Sequence, residues 1–465
     1  MVDIHKELKC TKWQDQGGNK FKCMQEDSNP CGCWSNICRP KVELILSDQQ
    51  KKDRAQCITH LKENIKNNSA ALVLGAGISK PSKLPLWSEL ISKMMGYAIQ
   101  YEFVGKQHFS VATVDTKVRE SIIDRTNQLI NGELSVLSKV NALEAAEYVA
   151  QFFDDVTAEE NVRDRLPETS IRSMIYRMLE DSYTPIELLR IDSIKKCKSD
   201  PFFSSIVDEL DAGKSAIDAI AGVDTKKVAE LNTMFAVSYL MSHNKGIRKA
   251  MTYNYDPLVQ EHMLDLYGID RGGILTHPGK WGKKRGKSKI DLREIYHVHG
   301  FVAGERHENR DCPEVFPSDS GLLVLSEDSY YRIEREEAYN WSSSIQSGFL
   351  NKYSCVFVGF SAEDYNFRRI LRQMGRKHSD DRRAHYLILT IDDWINNTYE
   401  DVCHTCFKDS SEIDGDTVKK VSQDTVLLLQ YILQCRAEYW KRFNIYPIWV
   451  TVSEIPQLLT SLIET

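Results

Sequence analysis

The residues able to do chemistry in this 465-residue chain gather at the ends of short apolar runs. In "EIYHVHGFV", His297 and His299 are two apart, a spacing that on an extended strand points both side chains the same way. His299 stands beside Gly300 at the end of the run, where a neutral imidazole can accept a proton from a sugar hydroxyl near neutral pH. The other reading is a structural histidine ahead of a glycine turn. A metal site on the pair would need an acidic or cysteine ligand at suitable spacing, and none lies nearby. In "MTYNYDPLVQEHM", Asn254 carries an amide that both donates and accepts, suited to orienting a carboxamide, a sugar hydroxyl or a water. Asp256 either caps the helix that Pro257 would open or takes part in the chemistry directly.

Two further runs end in small residues. In "ALVLGAGISKPSKLPLWSEL", Gly75, Ala76 and Gly77 follow a buried strand. The glycines can take positive φ and leave room for a phosphate or ribose against the backbone, and Ser79 adds a hydroxyl donor. A tight core turn with no ligand is the alternative. The dehydrogenase fingerprint would need a third small residue where Lys80 stands, so simple hydride transfer is disfavoured. "SCVFVGFSAEDYNFRRIL" ends its strand in Gly359 and Ser361, and Asp364 then starts a helix either as its cap or as a ligand contact. The basic stretch "GKWGKKRGKSK" at 279–289 reads as a solvated loop, or as the border of a pocket that meets phosphate.

The elements that must position these groups follow from the pattern. Short apolar runs at 249–256, 294–300, 321–326, 354–361, 384–390 and 445–451 read as strands, and amphipathic segments between several of them read as helices. Strands alternating with helices imply a mostly parallel sheet covered on both faces, with ligands at the carboxyl ends of the strands. Residues 87–250 are mostly amphipathic helix, with a helix beginning at Trp87 and others including "LEAAEYVAQFF" and "KKVAELNTMFAVSYLMS". A longer helix is expected at 416–442, and "SEIPQLLTSLIE" reads as a final helix with a serine cap.

Composition narrows the class. The net charge of −6, with 42% hydrophobic and 27% charged residues, gives no global pull toward nucleic acid or anionic membrane. No apolar run approaches membrane-spanning length, and "MVDIHKELKC" lacks a signal-peptide core, so a soluble cytoplasmic protein is expected. Of the twelve cysteines, Cys10, Cys23, Cys31, Cys33 and Cys38 crowd the first forty residues without paired C-x2-C knuckles. That extension is either loose, with reduced thiols, or a zinc site. "CHTC" at 403–406 reads as an exposed loop.

Taken in order, "GAGIS" with "PSKLPLW", "NYD", "HG" and "GFSAED" resemble the bacterial sirtuin-like NAD-hydrolysing domains of antiphage defence proteins. The resemblance implies an α/β, Rossmann-like, mostly parallel sirtuin-like sheet with a large helical insertion. Residues 1–40 would be a Cys-rich extension, and 41–465 one NAD-binding domain in which 90–250 form the insertion. It maps Asn254 and His299 onto the catalytic positions. Gly75, Ala76, Gly77, Ser79, Asp256, Gly359, Ser361 and Asp364 map onto the positions that bind NAD, here a substrate, with no metal required. The expected activity is NAD glycohydrolysis to nicotinamide and ADP-ribose. Because such an enzyme is toxic to its host, it would be restrained by its oligomer state, by a partner or by the inserted helices; a homo-oligomer and a regulatory protein partner or an activating phage trigger are the expected partners. The sequence departs from the family at Lys83, where Gly is usual, and at Tyr253, which replaces Thr. The zinc ribbon of protein deacylases is missing after His299. A deacylase and a non-catalytic NAD- or ADP-ribose-binding subunit are the alternative functions.

Overall fold

The computed structural model describes residues 13–15, 20–23, 45–100, 145–151, 171–198, 200–278, 291–317, 323–325, 337–362, 364–374, 383–392, 394–395, 398, 402, 405–406 and 412–464. In chain order the elements begin with β1 (Trp13–Asp15), β2 (Lys20–Cys23), α1 (Asp48–Lys66), β3 (Ala70–Leu74) and α2 (Trp87–Gln100). Then come α3 (Ile171–Glu180), α4 (Pro185–Cys197), α5 (Pro201–Asp211), α6 (Ala216–Ala219), α7 (Thr225–Ala229) and α8 (Thr233–Ser242). The next group is β4 (Lys249–Thr252), α9 (Leu258–Asp265), β5 (Ile274–His277), β6 (Arg293–His297) and α10 (Glu305–Glu308). After these lie α11 (Glu337–Lys352), β7 (Ser354–Val358), α12 (Tyr365–Met374) and β8 (His385–Thr390). The chain continues through β9 (Glu412–Asp414), α13 (Gly415–Lys441), β10 (Ile445–Val450) and α14 (Ile455–Ser461).

Two compact units divide the chain: Met1–Leu61 with Tyr386–Ile455, and Lys62–His385 with Pro456–Thr465. The second unit holds parallel strands in the order β7-β3-β4-β6-β5. Every residue of β3 and of β7 is buried, as expected for strands covered on both faces. The architecture is an α/β, Rossmann-like parallel sheet: the alternating pattern predicts the parallel α/β sheet, and the resemblance implies its Rossmann-like form. The connection from β3 to β4 carries the helices α2 to α8. Those from α4 onward pack around their own core, with Leu189, Ile206, Val228 and Phe235 at its centre. Burying each such side chain contributes about 1.5–3 kcal/mol, enough to hold these helices as a packed body. In the first unit β8 and β10 are hydrogen-bonded neighbours, and Ile45, Leu429, Leu433 and Trp449 form the core beside them.

Several elements differ from the sequence pattern. Strand β5, "ILTH", was missed because it is four residues long and alternates buried with half-buried positions at the sheet edge. "GLLVLS" was read as a strand, but its described residues 323–325 are coil; Val324 N donates to His299 O at 2.9 Å instead. "KKVAELNTMFAVSYLMS" is two helices, because the Asn232 side chain accepts from Phe235 N and starts α8 afresh. The cap near the C-terminal helix is Thr451, paired with Glu454, rather than Ser453. The N-terminal region is not wholly loose: β1 pairs with β2 and β2 with β9, both antiparallel. Cys10, Cys31, Cys33, Cys38, Cys403 and the basic stretch 279–289 lie outside the described residues.

Candidate active site

The site is built where β3, β4, β6 and β7 end. The chain leaving β3 makes one 3-10 turn over Ala76–Ile78, and the chain leaving β7 turns at Gly359 with φ +61. The two turns interlock, with Gly75 N donating to Val358 O at 3.1 Å and Gly77 N to Gly359 O at 2.9 Å. This corrects the reading of the glycines. Gly75 is extended, at φ −125, and a Cβ on it would come within 2.5 Å of Gly359 O. A Cβ on Gly77 would lie 2.9 Å from Gly359 Cα, and one on Gly359 would lie 2.5 Å from Ile78 N. Their bareness is used first by the neighbouring turn. Ile78 N and Ser79 N also donate inside the turn, so it is not an open cradle of amides. Lys83, the position where a glycine is usual in the similar family, adopts φ +68, the left-handed region glycine favours.

The end of β4 supplies a hydrogen-bonded relay. Asn254 Nδ2 donates to Ser79 Oγ at 3.0 Å, and Ser79 Oγ donates to Asp256 Oδ2 at 3.0 Å. Asp256 Oδ1 accepts from Leu258 N at 3.2 Å, so Asp256 restrains the start of α9 while Pro257 takes the cap position. All three side chains are buried. Ser79 was expected to donate to a ligand; its single proton is committed to Asp256, which makes it an orienter of Asn254. Burial pushes the Asp256 carboxyl above its ordinary range, while Ser79 and the Leu258 amide oppose that rise.

Strand β6 ends at His297, and Gly300 turns with φ +104, so the two-residue period fails between the histidines. His297 is fully buried; its Nδ1 donates to Asn254 O at 2.9 Å and its Nε2 accepts from Gln260 Nε2 at 2.8 Å. It braces the backbone of Asn254 rather than facing the cavity. Desolvation brings its pKa down from 6.5 to about 4. His299 is buried with its ring edge-on to Tyr253, centroids 4.7 Å apart. Its Nε2 lies 3.6 Å from Asp364 Oδ2. Desolvation lowers the imidazole pKa and the Asp364 carboxylate partly restores it. Asp364 does cap α12, its Oδ1 accepting from Phe367 N at 2.7 Å, and its other oxygen faces His299.

A cavity of about 500 Å³ is lined by Asn254, His299, Gly75, Ala76, Gly77, Ser79, Asp256, Gly359, Ser361 and Asp364 together. That size suits a small-molecule or nucleotide ligand. Residues 248–409 match the model of the SIR2-like domain. The SIR2-like stretch takes in Asn254, Asp256, His299, Gly359, Ser361 and Asp364, and begins after the Gly75–Ser79 turn. No curated protein matches the chain. Among the described residues no group of His, Cys, Asp or Glu is arranged to hold a metal, and no helix is long and apolar enough to cross a membrane.

The same cavity has an apolar lining, of which the sequence reading picked out only the "PSKLPLW" stretch. Leu84, Leu86 and Leu90 come from the segment after the turn, and Ile175, Met178 and Leu179 come from α3 of the inserted helices. Helix α3 gave no signal beyond an amphipathic pattern. Its end is anchored on two sides. Tyr183 N donates to Ser82 O, and Lys83 Nζ sits 3.9 Å from the Tyr183 ring. Arg306 bonds Ser182 O at 2.9 Å and the buried Glu261 at 3.1 Å. Tyr253, whose hydroxyl donates to Gln346 Oε1 at 2.7 Å, was noticed only as a departure from the family pattern.

Proposed function

We propose that the protein is a cytoplasmic NAD glycohydrolase that converts NAD to nicotinamide and ADP-ribose in bacterial antiphage defence. The observation carrying this reading is that Asn254 and His299, from neighbouring strands, line one cavity with the interlocked Gly75–Gly77 and Gly359 turns. In this reading the diphosphate lies over those turns and the nicotinamide ribose lies between Asn254 and His299. With Nδ2 held by Ser79, the Asn254 carbonyl oxygen is the atom that meets a ribose hydroxyl or the attacking water. The bond from ribose C1′ to the pyridinium nitrogen breaks with its electron pair going to the ring, through an oxocarbenium-like state. Water oxygen then bonds to C1′, and its proton passes to His299 and on to solvent. A lowered imidazole pKa keeps His299 neutral and able to act as base. The apolar wall of Leu84, Leu86, Leu90, Ile175 and Met178 disfavours the cationic pyridinium and favours its conversion to neutral nicotinamide.

Incubating the purified protein with NAD and resolving products chromatographically tests the reading. Nicotinamide and ADP-ribose should appear in equal amounts. His299→Ala or Asn254→Ala should cut turnover by about a hundredfold or more, and turnover persisting in both variants refutes the assignment. Activity that drains the host's NAD fits abortive infection, so restraint by an oligomer, a partner or the inserted helices belongs to the proposal. Cells producing the wild type, but not His299→Ala, should lose NAD on phage challenge.

A further inference from the structure

Helix α11 carries two polar side chains, one turn apart, that join the ends of two different strands. Ser342 Oγ lies 2.7 Å from Val298 O, and Gln346 Nε2 lies 3.0 Å from Ser342 Oγ. Gln346 Oε1 lies 2.7 Å from the Tyr253 hydroxyl. The direction of every bond is fixed from one end. Val298 O can only accept, so the Ser342 hydroxyl donates its one proton there and must accept from Gln346. The amide nitrogen therefore faces Ser342, and the amide oxygen is left to accept from Tyr253. Tyr253, Gln346 and Ser342 are all buried. Burial pushes the Tyr253 hydroxyl well above its ordinary range, so the phenol keeps the proton this chain of bonds needs.

Both ends of the relay converge on His299. Val298 directly precedes it, and Val298 N donates to Thr252 O at 3.0 Å. The Tyr253 ring meets the His299 ring at 83°, with centroids 4.7 Å apart, and has Phe360 at the same distance. One pair of α11 side chains thus holds both the backbone that carries the imidazole and the ring it packs on. Gln346 and Ser342 are not among the described residues that line the cavity, so they act on it through the residues they hold.

We infer that Tyr253 is a positioning residue for His299, locked in place by Gln346 and Ser342 of α11. The relay moves no proton; it fixes where the imidazole stands. This deepens the NAD reading and rests on it for the effect on turnover.

The test joins steady-state kinetics with NAD to magnetic resonance of the full chain carrying isotope-labelled histidine. The His299 signal is identified by its loss in His299→Ala. Gln346→Leu breaks the relay without touching Tyr253 or His299 themselves. Its kcat should fall about tenfold while KM changes less than about twofold, short of the roughly hundredfold that an ångström of misplacement can cost. The His299 signal should move in the same variant. Tyr253→Phe keeps the ring and removes only the hydroxyl, and it should show the same pattern if Gln346→Leu does not fold. An unmoved His299 signal, or an unchanged kcat, in a folded variant overturns the inference and leaves the NAD reading standing. Wild type that consumes no NAD overturns that reading instead, and the His299 signal then decides whether the relay holds.

Discussion

Replacing Gly359 by Ala tests the interlocked turns, because the structure separates the contributions. Gly359 has φ +61, a region that costs an L-residue roughly 1–2 kcal/mol. Part of that is offset by about 0.4–1 kcal/mol, because alanine reduces the freedom of the unfolded chain. The added Cβ would also stand 2.5 Å from Ile78 N and 2.9 Å from Gly77 C, backbone atoms that cannot swing aside. Moving them strains the Gly77 N to Gly359 O bond, worth about 1 kcal/mol, and overpacks the floor of the cavity by about 1–3 kcal/mol. Gly213 is the internal control, with φ +83 and nothing within 4 Å of a Cβ. Gly213→Ala should therefore cost about 1 kcal/mol, and Gly359→Ala about 2–4 kcal/mol more. Urea unfolding of both variants gives the difference, and ADP-ribose titration should show binding lost in Gly359→Ala alone. Equal unfolding midpoints with intact binding would refute the claim that the two turns fill each other's space.

Ser79→Ala should leave Asn254 Nδ2 and Asp256 Oδ2 without the hydroxyl that now joins them. The expected cost is about 1–3 kcal/mol of stability and a fall in kcat larger than any change in KM, read from denaturation and steady-state kinetics. Acid should destabilise the fold in a defined window. His297 and His385 are held near a pKa of about 4 by burial, against 6.5 in the unfolded chain, so the unfolded state binds protons first as pH falls. Each contributes about 3 kcal/mol that is present above pH 6.5 and lost by about pH 4. Urea midpoints measured between those values should fall steeply in wild type and less in His297→Gln; identical slopes would contradict the burial argument.

The sheet was legible because β3, β7 and β10 are apolar runs too short for helices and rich in residues that fill both faces. The gathering of Asn254, His299, Gly359 and Asp364 into one cavity followed from strand ends alone. What could not be read locally was the purpose of each group. Gly75 and Gly77 looked bare for a ligand, but the atoms that need their space belong to Gly359 and Phe360, hundreds of positions away in the chain. His297 and His299 were expected to point the same way, but the strand ends at His297 and the shared direction is lost. The wall from Ile175 and Met178 carried no chemical signature, because an amphipathic helix looks the same whether it covers a core or a cavity.

The order in which the floor is assembled has a bearing on synthesis. Strand β3 is made early but lies between β4 and β7, and the turn that completes its glycines arrives only with Gly359. A growing polypeptide on the ribosome therefore holds no finished pocket until most of its length has emerged. The NAD-consuming activity proposed above would then be absent from the nascent chain until that turn has folded.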